Sequence, residues 1–224
     1  MKIFAFAFAI LVAGVAANPE AVAKTNERFV DNIIAGLIED LINDIQERGL
    51  DPIEIKEADY EYRLPVTDLL EVDAAAADIL VEGISNIKIN RINFSLLTSR
   101  LQLDLSLPLV SAKVGSSSAR VKLFDGEFAA EASGSVAIEE LRLVADVRIN
   151  LGIISGVSIR SLAINFSIKD IQSDLNIVLF GHDLSEKVNG FLGETVPNTL
   201  EANRNDINSL LSHVLKEVIE AQLP

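Results

Sequence analysis

A long stretch of alternating apolar and polar residues is the feature that most constrains how this chain can fold. Apolar residues occupy every second position from Leu101 to Leu107, and the longest such run extends from Leu141 to Leu151. Successive side chains of a strand point to opposite faces, so each run predicts a strand with one buried face. One-faced strands are typical of antiparallel sheets. The middle of the chain is therefore predicted to form such a sheet.

Helical patterns bracket these strands. From Phe29 to Ile45 apolar residues recur every four positions, which predicts an amphipathic helix over residues 20–47. A second helix is predicted to begin near Pro197, with Leu211 at the centre of its apolar stripe. Helices at both ends of a run of one-faced strands indicate an α+β fold.

Glycines and shifts in the alternation predict where regular structure is interrupted. The alternation changes parity near Asn90-Arg91 and near Glu139-Glu140, where we expect β-bulges that bend the sheet. The segment Asp183–Leu192 predicts a short helix, broken around Gly190 and Gly193.

The first 17 residues have the pattern of a secretory signal peptide. Lys2 precedes an uncharged apolar run that closes on Val15-Ala16-Ala17, and small residues at these positions favour cleavage before Asn18. The run is shorter than the roughly 18 apolar residues that span a bilayer, and no later stretch is long enough either. The sequence therefore predicts a secreted, extracellular protein with a signal peptide at 1–17 and one domain at 18–224. The chain contains no cysteine, so this domain must fold without a disulfide.

Two glycosylation sequons are present in this chain with its predicted signal peptide. They are Asn93-Phe94-Ser95 and Asn165-Phe166-Ser167. Alternation predicts that Asn93 and Asn165 point outward and that each phenylalanine points inward. Both asparagines are candidate glycosylation sites, although such a sequon can also stay unused within regular structure.

The composition argues against several classes of function. With 33 acidic and 19 basic residues the net charge is −14, which disfavours nucleic acid as a partner. There is no thiol nucleophile, and only His182 and His213 could act as a base near neutral pH. No metal-ligand spacing and no glycine-rich phosphate loop is present. We therefore expect no enzyme, no metal and no cofactor.

An apolar interior remains, and the pattern leaves two interpretations open. Side chains of the strands and helices can fill the core completely, as in most proteins, so that the protein acts on protein partners through its acidic surface. Alternatively, the elongated core can leave an apolar channel for a hydrophobic small molecule.

Several motifs resemble a family of secreted insect and mite proteins, the juvenile-hormone-binding and takeout-like proteins. The resemblance covers most of residues 20–222. It is carried by the long first helix, the closing helix and four short motifs: Gly49-Leu50-Asp51-Pro52-Ile53, Gly83-Ile84-Ser85, the strand Leu103–Leu109 with its Leu-Pro ending, and a hairpin-like Gly126–Gly134. The absence of cysteine departs from hormone-binding and takeout members, which have an N-terminal disulfide. In this respect the chain looks more like the group 7 mite allergens.

The resemblance implies a tubular lipid-binding fold similar to half of bactericidal/permeability-increasing protein. In that fold a strongly curved antiparallel sheet wraps around a long C-terminal helix, with a long N-terminal helix beside it. The implied function is to carry a fatty acid, a terpenoid resembling juvenile hormone or a bacterial lipid in an apolar tunnel. The candidate pocket residues are the inward-facing Leu41, Leu105, Leu107, Val147, Ile149, Phe166 and Leu211.

Overall fold

A computed structural model describes residues 27–64, 70–95, 97–124, 126–152 and 156–220. The predicted signal peptide and the first seven residues of the predicted N-terminal helix lie outside these ranges. The elements, in chain order, are α1 (Glu27–Glu47), β1 (Ile53–Arg63), β2 (Leu70–Glu82), β3 (Lys88–Ser95), β4 (Arg100–Leu123), β5 (Gly126–Gly152), β6 (Gly156–Ser167), β7 (Asp170–Leu179), β8 (His182–Asp183), α2 (Ser185–Gly190), a π-helical turn (Phe191–Thr195), α3 (Val196–Ala202) and α4 (Arg204–Glu220).

The strands form one curved antiparallel sheet, as the sequence and the resemblance predict. Its spine is a hairpin of the two long strands β4 and β5, of 24 and 27 residues. At one end, which we call the proximal half, β3 pairs with the start of β4 and β6 with the end of β5. At the other end, the distal half, β2 pairs with the rest of β4, β1 with β2, and β7 with the start of β5.

The structure confirms one of the two predicted bulges and corrects the hairpin. The pairing of β3 with β4 shifts register between Ile89 and Arg91. At Glu140 the backbone is left-handed, with a φ of 48°, but the pairing of β4 with β5 keeps its register there and shifts between Val114 and Ser117 instead. The segment Gly126–Gly134 is not a hairpin of its own but the first part of β5. Because Leu123 pairs with Gly126, the turn lies just before this segment.

The predicted break around Gly190 and Gly193 is wrong. The chain stays helical from Ser185 to Ala202 through the π-helical turn and is interrupted at Asn203 instead. Glycine costs only about 1 kcal/mol in a helix interior, which packing can offset. A β-carbon on Gly193 would lie 3.4 Å from the Ile171 carbonyl oxygen, which is ordinary van der Waals contact, so the packing of this turn on β7 does not require glycine.

Helices lie along three strands at the margins of the sheet and bind their free backbone amides. The Phe94 amide of β3 donates to the Asp31 carboxylate of α1. On β6, the amides of Phe166 and Ile164 donate to Asn208 and Ser212 of α4. On β7, Ser185 and Asn189 of α2 accept from Ile177 and Leu175. These bonds satisfy amides that unpaired edge strands would otherwise present to other chains.

The hydrophobic core is concentrated in the proximal half of the sheet. There α1 and the end of α4 pack against the sheet and its strands β3 and β6. The buried cluster consists of Val30, Ile34, Ile38, Phe94, Leu101, Leu103, Ala145, Val147, Ile149, Ile159, Ile164 and Ile219. The structure thus places the main packing at one end of the hairpin spine.

Three of the family-like motifs meet at one junction near α1. The Asp51 carboxylate accepts hydrogen bonds from the Gly83 amide (2.8 Å) and from the amide and hydroxyl of Ser85 (both 2.6 Å). Gly83 has a φ of 95°, and a β-carbon there would lie 2.1 Å from the Leu109 carbonyl oxygen. The junction therefore requires a carboxylate at position 51 and a glycine at position 83.

Replacing Asp51 with asparagine is expected to lower the free energy of unfolding by about 1–3 kcal/mol at neutral pH, because charged hydrogen bonds are lost. Partial burial raises the pKa of the Asp51 carboxyl, but the hydrogen bonds from Ser85 and Gly83 outweigh it, so the pKa lies below its ordinary value. A lowered folded-state pKa stabilises the protein above the unfolded-state value of about 4, and this stabilisation is lost as the pH falls through the folded-state pKa.

Urea denaturation at a series of pH values measures this contribution. As the pH falls from about 5 to about 2, the free energy of unfolding of wild type should decrease by more than that of the Asp51→Asn variant. The control is Asp44→Asn, which removes only the solvent-facing ion pair between Asp44 of α1 and Arg48, the residue that follows this helix. Identical pH profiles for wild type and Asp51→Asn would contradict the assigned role.

Candidate functional site

The candidate pocket residues lie mainly in the packed proximal half. Val147 and Ile149 belong to the buried cluster, and Leu105 and Leu211 pack against it. Leu107 is buried outside the cluster. Leu41 is half-buried on α1, and Phe166 is half-buried beside Pro197 and Leu200. The sequence therefore identified apolar interior positions, most of them in the packed part of the fold.

The distal half carries a second apolar face, which α1 and α4 leave open. Directly paired residues of neighbouring strands project from the same side of a sheet. One row across the strands consists of Tyr60, Ala74, Ala119, Ala130 and Leu179, and the next consists of Ala58, Ala76, Ser117, Ala132 and Ile177. Five strands at a spacing of about 4.8 Å make each row about 19 Å wide.

These rows form the floor of an apolar groove of about 400 Å³. Its inward-facing lining residues are Ala58, Tyr60, Ala74, Ala76, Ser117, Ala119, Ala130 and Ala132. Because nearly all of them are alanine, the floor lies close to the backbone and leaves room above it. A volume of this size lies within the range of small-molecule sites, about 300–1,000 Å³. We call this feature the distal groove.

The electrostatics of the distal groove favour uncharged molecules. Its lining includes no lysine or arginine, and the side chains of Asp59 and Glu131, whose positions border it, point to the opposite face by alternation. The Ser117 hydroxyl donates to the Ala132 carbonyl (2.9 Å), so its proton is already engaged. The groove therefore offers apolar contact and no cation for an acidic ligand.

A row of residues with an aromatic ring at each end lies just beyond the outer end of the distal groove. Tyr62 pairs with Val72, Val72 with Val121, and Val121 with Phe128. The Phe128 ring meets the Phe180 ring edge to face, with centroids 5.5 Å apart. The lining of the groove includes none of these rings.

The opposite face of the same strands is polar. Two depressions there, of about 490 and 410 Å³, are lined by acids, serines and alanines and include Glu57, Ser116 and Asp73. Arg63 pairs with Glu71 and Asp73, and Arg120 pairs with Glu127. These depressions lack the apolar lining of the distal groove, and we regard this face as solvated.

Within the described part of the chain, no three His, Cys, Asp or Glu side chains are arranged to hold a metal ion. None of the helices in the described ranges is long and apolar enough to cross a membrane. His182 and His213 are both exposed, and His213 lies 3.2 Å from Glu217 on the same helix.

The sequon asparagines occupy equivalent places on two marginal strands. Asn93 on β3 and Asn165 on β6 are both exposed, while Phe94 is buried and Phe166 is half-buried. This confirms the predicted orientation of all four side chains. The Asn208 amide group donates to the Asn165 side-chain oxygen (3.2 Å). Asn165 is thus in contact with α4 although it faces solvent.

Sequence reasoning missed the distal groove because alanine gives a weak signal. Ala74, Ala75, Ala76 and Ala77 are consecutive, so hydropathy cannot tell which pair faces inward. The available signal was compositional: alanine and serine are concentrated in β2, in the distal part of β4 and in the start of β5. Small residues at paired positions of neighbouring strands leave space that larger residues would fill.

The chain has one curved antiparallel sheet flanked by N- and C-terminal helices, which is the arrangement that the resemblance implies. The family model for the haemolymph juvenile hormone binding protein (JHBP) matches residues 4–223, and the chain belongs to this family.

Solved structures similar to the chain include Takeout 1 from Epiphyas postvittana, with 13% identity and a TM-score of 0.39 over 78% of this chain and 81% of that one. Lipopolysaccharide binding protein matches with 12% identity and a TM-score of 0.26, over 84% of this chain but only 36% of that protein. No curated protein matches the chain by sequence.

Proposed function

We propose that this protein is a secreted carrier that binds an uncharged hydrophobic small molecule in the distal groove. The observation that carries the proposal is an apolar groove of about 400 Å³ with an alanine floor and no basic residue. Membership of a family named for hormone binding in haemolymph supports the same class of function. The proposed ligands are terpenoid esters, alcohols and other neutral lipids.

Secretion and domain organisation are part of the proposal. They rest on the signal-like segment that ends at Val15-Ala16-Ala17. Residues 18–224 then form the single lipid-binding domain. Asn93 and Asn165 are exposed and remain proposed glycosylation sites.

Simple energetics makes such binding feasible. Burying one methylene contributes about 0.8 kcal/mol, so a sixteen-carbon ligand gains up to about 13 kcal/mol. Association costs at least about 4 kcal/mol, and imperfect burial leaves a net gain of about 5–9 kcal/mol. This corresponds to dissociation constants between about 0.2 mM and below a micromolar.

The ligand class can be tested with a matched pair of fluorescent probes, a long-chain alcohol and the corresponding carboxylic acid. At neutral pH the alcohol should bind at least about tenfold more tightly, because a carboxylate would be desolvated in a groove whose lining offers it no cation. The acid should approach the alcohol's affinity at a pH where the probe itself is protonated. Added salt should change the affinity for the alcohol little.

Equal affinities for the two probes at neutral pH would contradict the selection for uncharged ligands. Saturable binding of neither probe would contradict the carrier function itself. A protein that instead recognised partners through its acidic surface would lose those partners at high salt. The salt series therefore separates the two classes of function.

A further inference from the structure

Aromatic side chains gather at the distal end of the sheet and are exposed. Tyr60, Tyr62, Phe124, Phe128 and Phe180 are between 41% and 62% exposed. They come from β1, from the β4–β5 turn, from β5 and from the turn after β7. Large exposed rings concentrated at one end of a molecule indicate an interaction surface rather than scattered surface residues. We call these five residues the aromatic tip.

Two residues of the aromatic tip occupy turn positions that suit other amino acids. Phe124 and Phe180 each follow a strand directly and have left-handed backbones, with φ values of 52° and 53°. Phe180 and Gly181 form a two-residue turn between β7 and β8, in which both residues have positive φ. Asparagine and glycine favour such turns, and a bulky residue at positive φ is strained. Folding alone therefore does not account for phenylalanine at these two positions.

Charges near the aromatic tip argue for an electrically neutral partner. The acidic side chains on these strand ends are Glu61, Glu71, Asp73 and Glu127, against the basic Arg63, Arg120 and Lys122. Arg63 and Arg120 are already paired with acids. An excess of acid in a protein of net charge −14 repels anionic lipid surfaces. Tyrosine suits the interface of a neutral lipid surface, because its ring can contact the apolar region while its hydroxyl stays in water. The phenylalanine rings add apolar contact area.

The aromatic tip is also the outer end of the distal groove. Tyr60 lines the groove, and the row containing Tyr62 and Phe128 lies directly beyond its alanine floor. We propose that the aromatic tip docks on a neutral, zwitterionic phospholipid surface, so that a hydrophobic ligand passes between that surface and the groove. The passage of ligand rests on the proposed function, whereas docking can be measured without any ligand.

The experiment is a flotation assay of the full mature chain with phosphatidylcholine vesicles. The test variant is Phe124→Asn/Phe180→Asn, because asparagine suits both left-handed turn positions. We expect its partition coefficient to fall by about tenfold or more, while its melting temperature is unchanged or higher. The matched control is Leu97→Gln, which removes a 93% exposed apolar side chain from a turn at the proximal end without creating a sequon. This control should bind vesicles as wild type does.

The docking proposal would be overturned by no binding of wild type to phosphatidylcholine vesicles, by wild-type binding of the double variant, or by an equal loss in Leu97→Gln. Stronger binding to vesicles that contain phosphatidylserine would also overturn it, since the tip would then recognise anionic headgroups.

A fluorescent alcohol titrated without vesicles reports separately on the groove. A double variant that binds the alcohol normally but does not bind vesicles supports docking. Failure of wild type to bind the alcohol counts against the carrier function alone.

Discussion

Replacing Val147 with aspartate is expected to lower the free energy of unfolding by about 3–5 kcal/mol, because an unpaired carboxylate would be buried. Val147 is fully buried in the cluster formed by the two helices and the proximal strands. Domains of this size are stable by only about 5–15 kcal/mol, so the variant should be largely unfolded or melt far below wild type. Urea denaturation monitored by circular dichroism measures the loss.

The matched control is the same substitution in the distal half. Ala130 is half-buried on the apolar face, but it lies in an open groove where a carboxylate can stay hydrated. Ala130→Asp should therefore cost less than about 1 kcal/mol. Comparable losses for Val147→Asp and Ala130→Asp would show that the two halves are equally closed, against the architecture described above.

Replacing Ala130 with phenylalanine is expected to weaken binding of a neutral hydrophobic ligand about 100-fold. The added ring would occupy the floor of the distal groove, and displacing three to four methylenes of ligand costs about 3 kcal/mol. The protein should remain folded, since the ring enters open space rather than a packed core. Titration of a fluorescent long-chain alcohol measures the affinity, and a thermal melt measures stability.

Ala129→Phe provides a control that differs by one position. Ala129 lies next to Ala130 on β5 but borders a depression of the polar face. The same ring on this side should leave ligand affinity within about twofold of wild type, because it contacts no groove residue. If Ala129→Phe and Ala130→Phe weaken binding equally, the distal groove is not the binding site.

The sequence predicted those parts of the fold in which large apolar residues recur with a clear period. The stripe from Phe29 to Ile45 identified α1, and the run from Leu141 to Leu151 identified the proximal part of β5. The parity shift near Asn90 was also readable, because a bulge moves the apolar residues of a strand to the alternate positions. In each case the signal lies within one segment.

Features that depend on pairing between distant segments were not predictable in this way. The floor of the groove requires Ala74 beside Ala119 and Ala119 beside Ala130, a coincidence of three strands. The helical path through Gly190 and Gly193 packs α2 and the π-helical turn against β7, which is a contact between separate segments. Similarly, Asp51 and Ser85 were visible as separate motifs, but only the fold shows that one binds the other.

The central claim is that the distal groove holds an uncharged hydrophobic ligand, and native mass spectrometry tests it most directly. Wild type, Ala129→Phe and Ala130→Phe would each be incubated with a lipid extract of the source organism and sprayed under native conditions. The predicted result is a one-to-one complex with a neutral lipid in wild type and Ala129→Phe, and its loss in Ala130→Phe. A complex of equal intensity in all three proteins, or none in wild type, would contradict the claim.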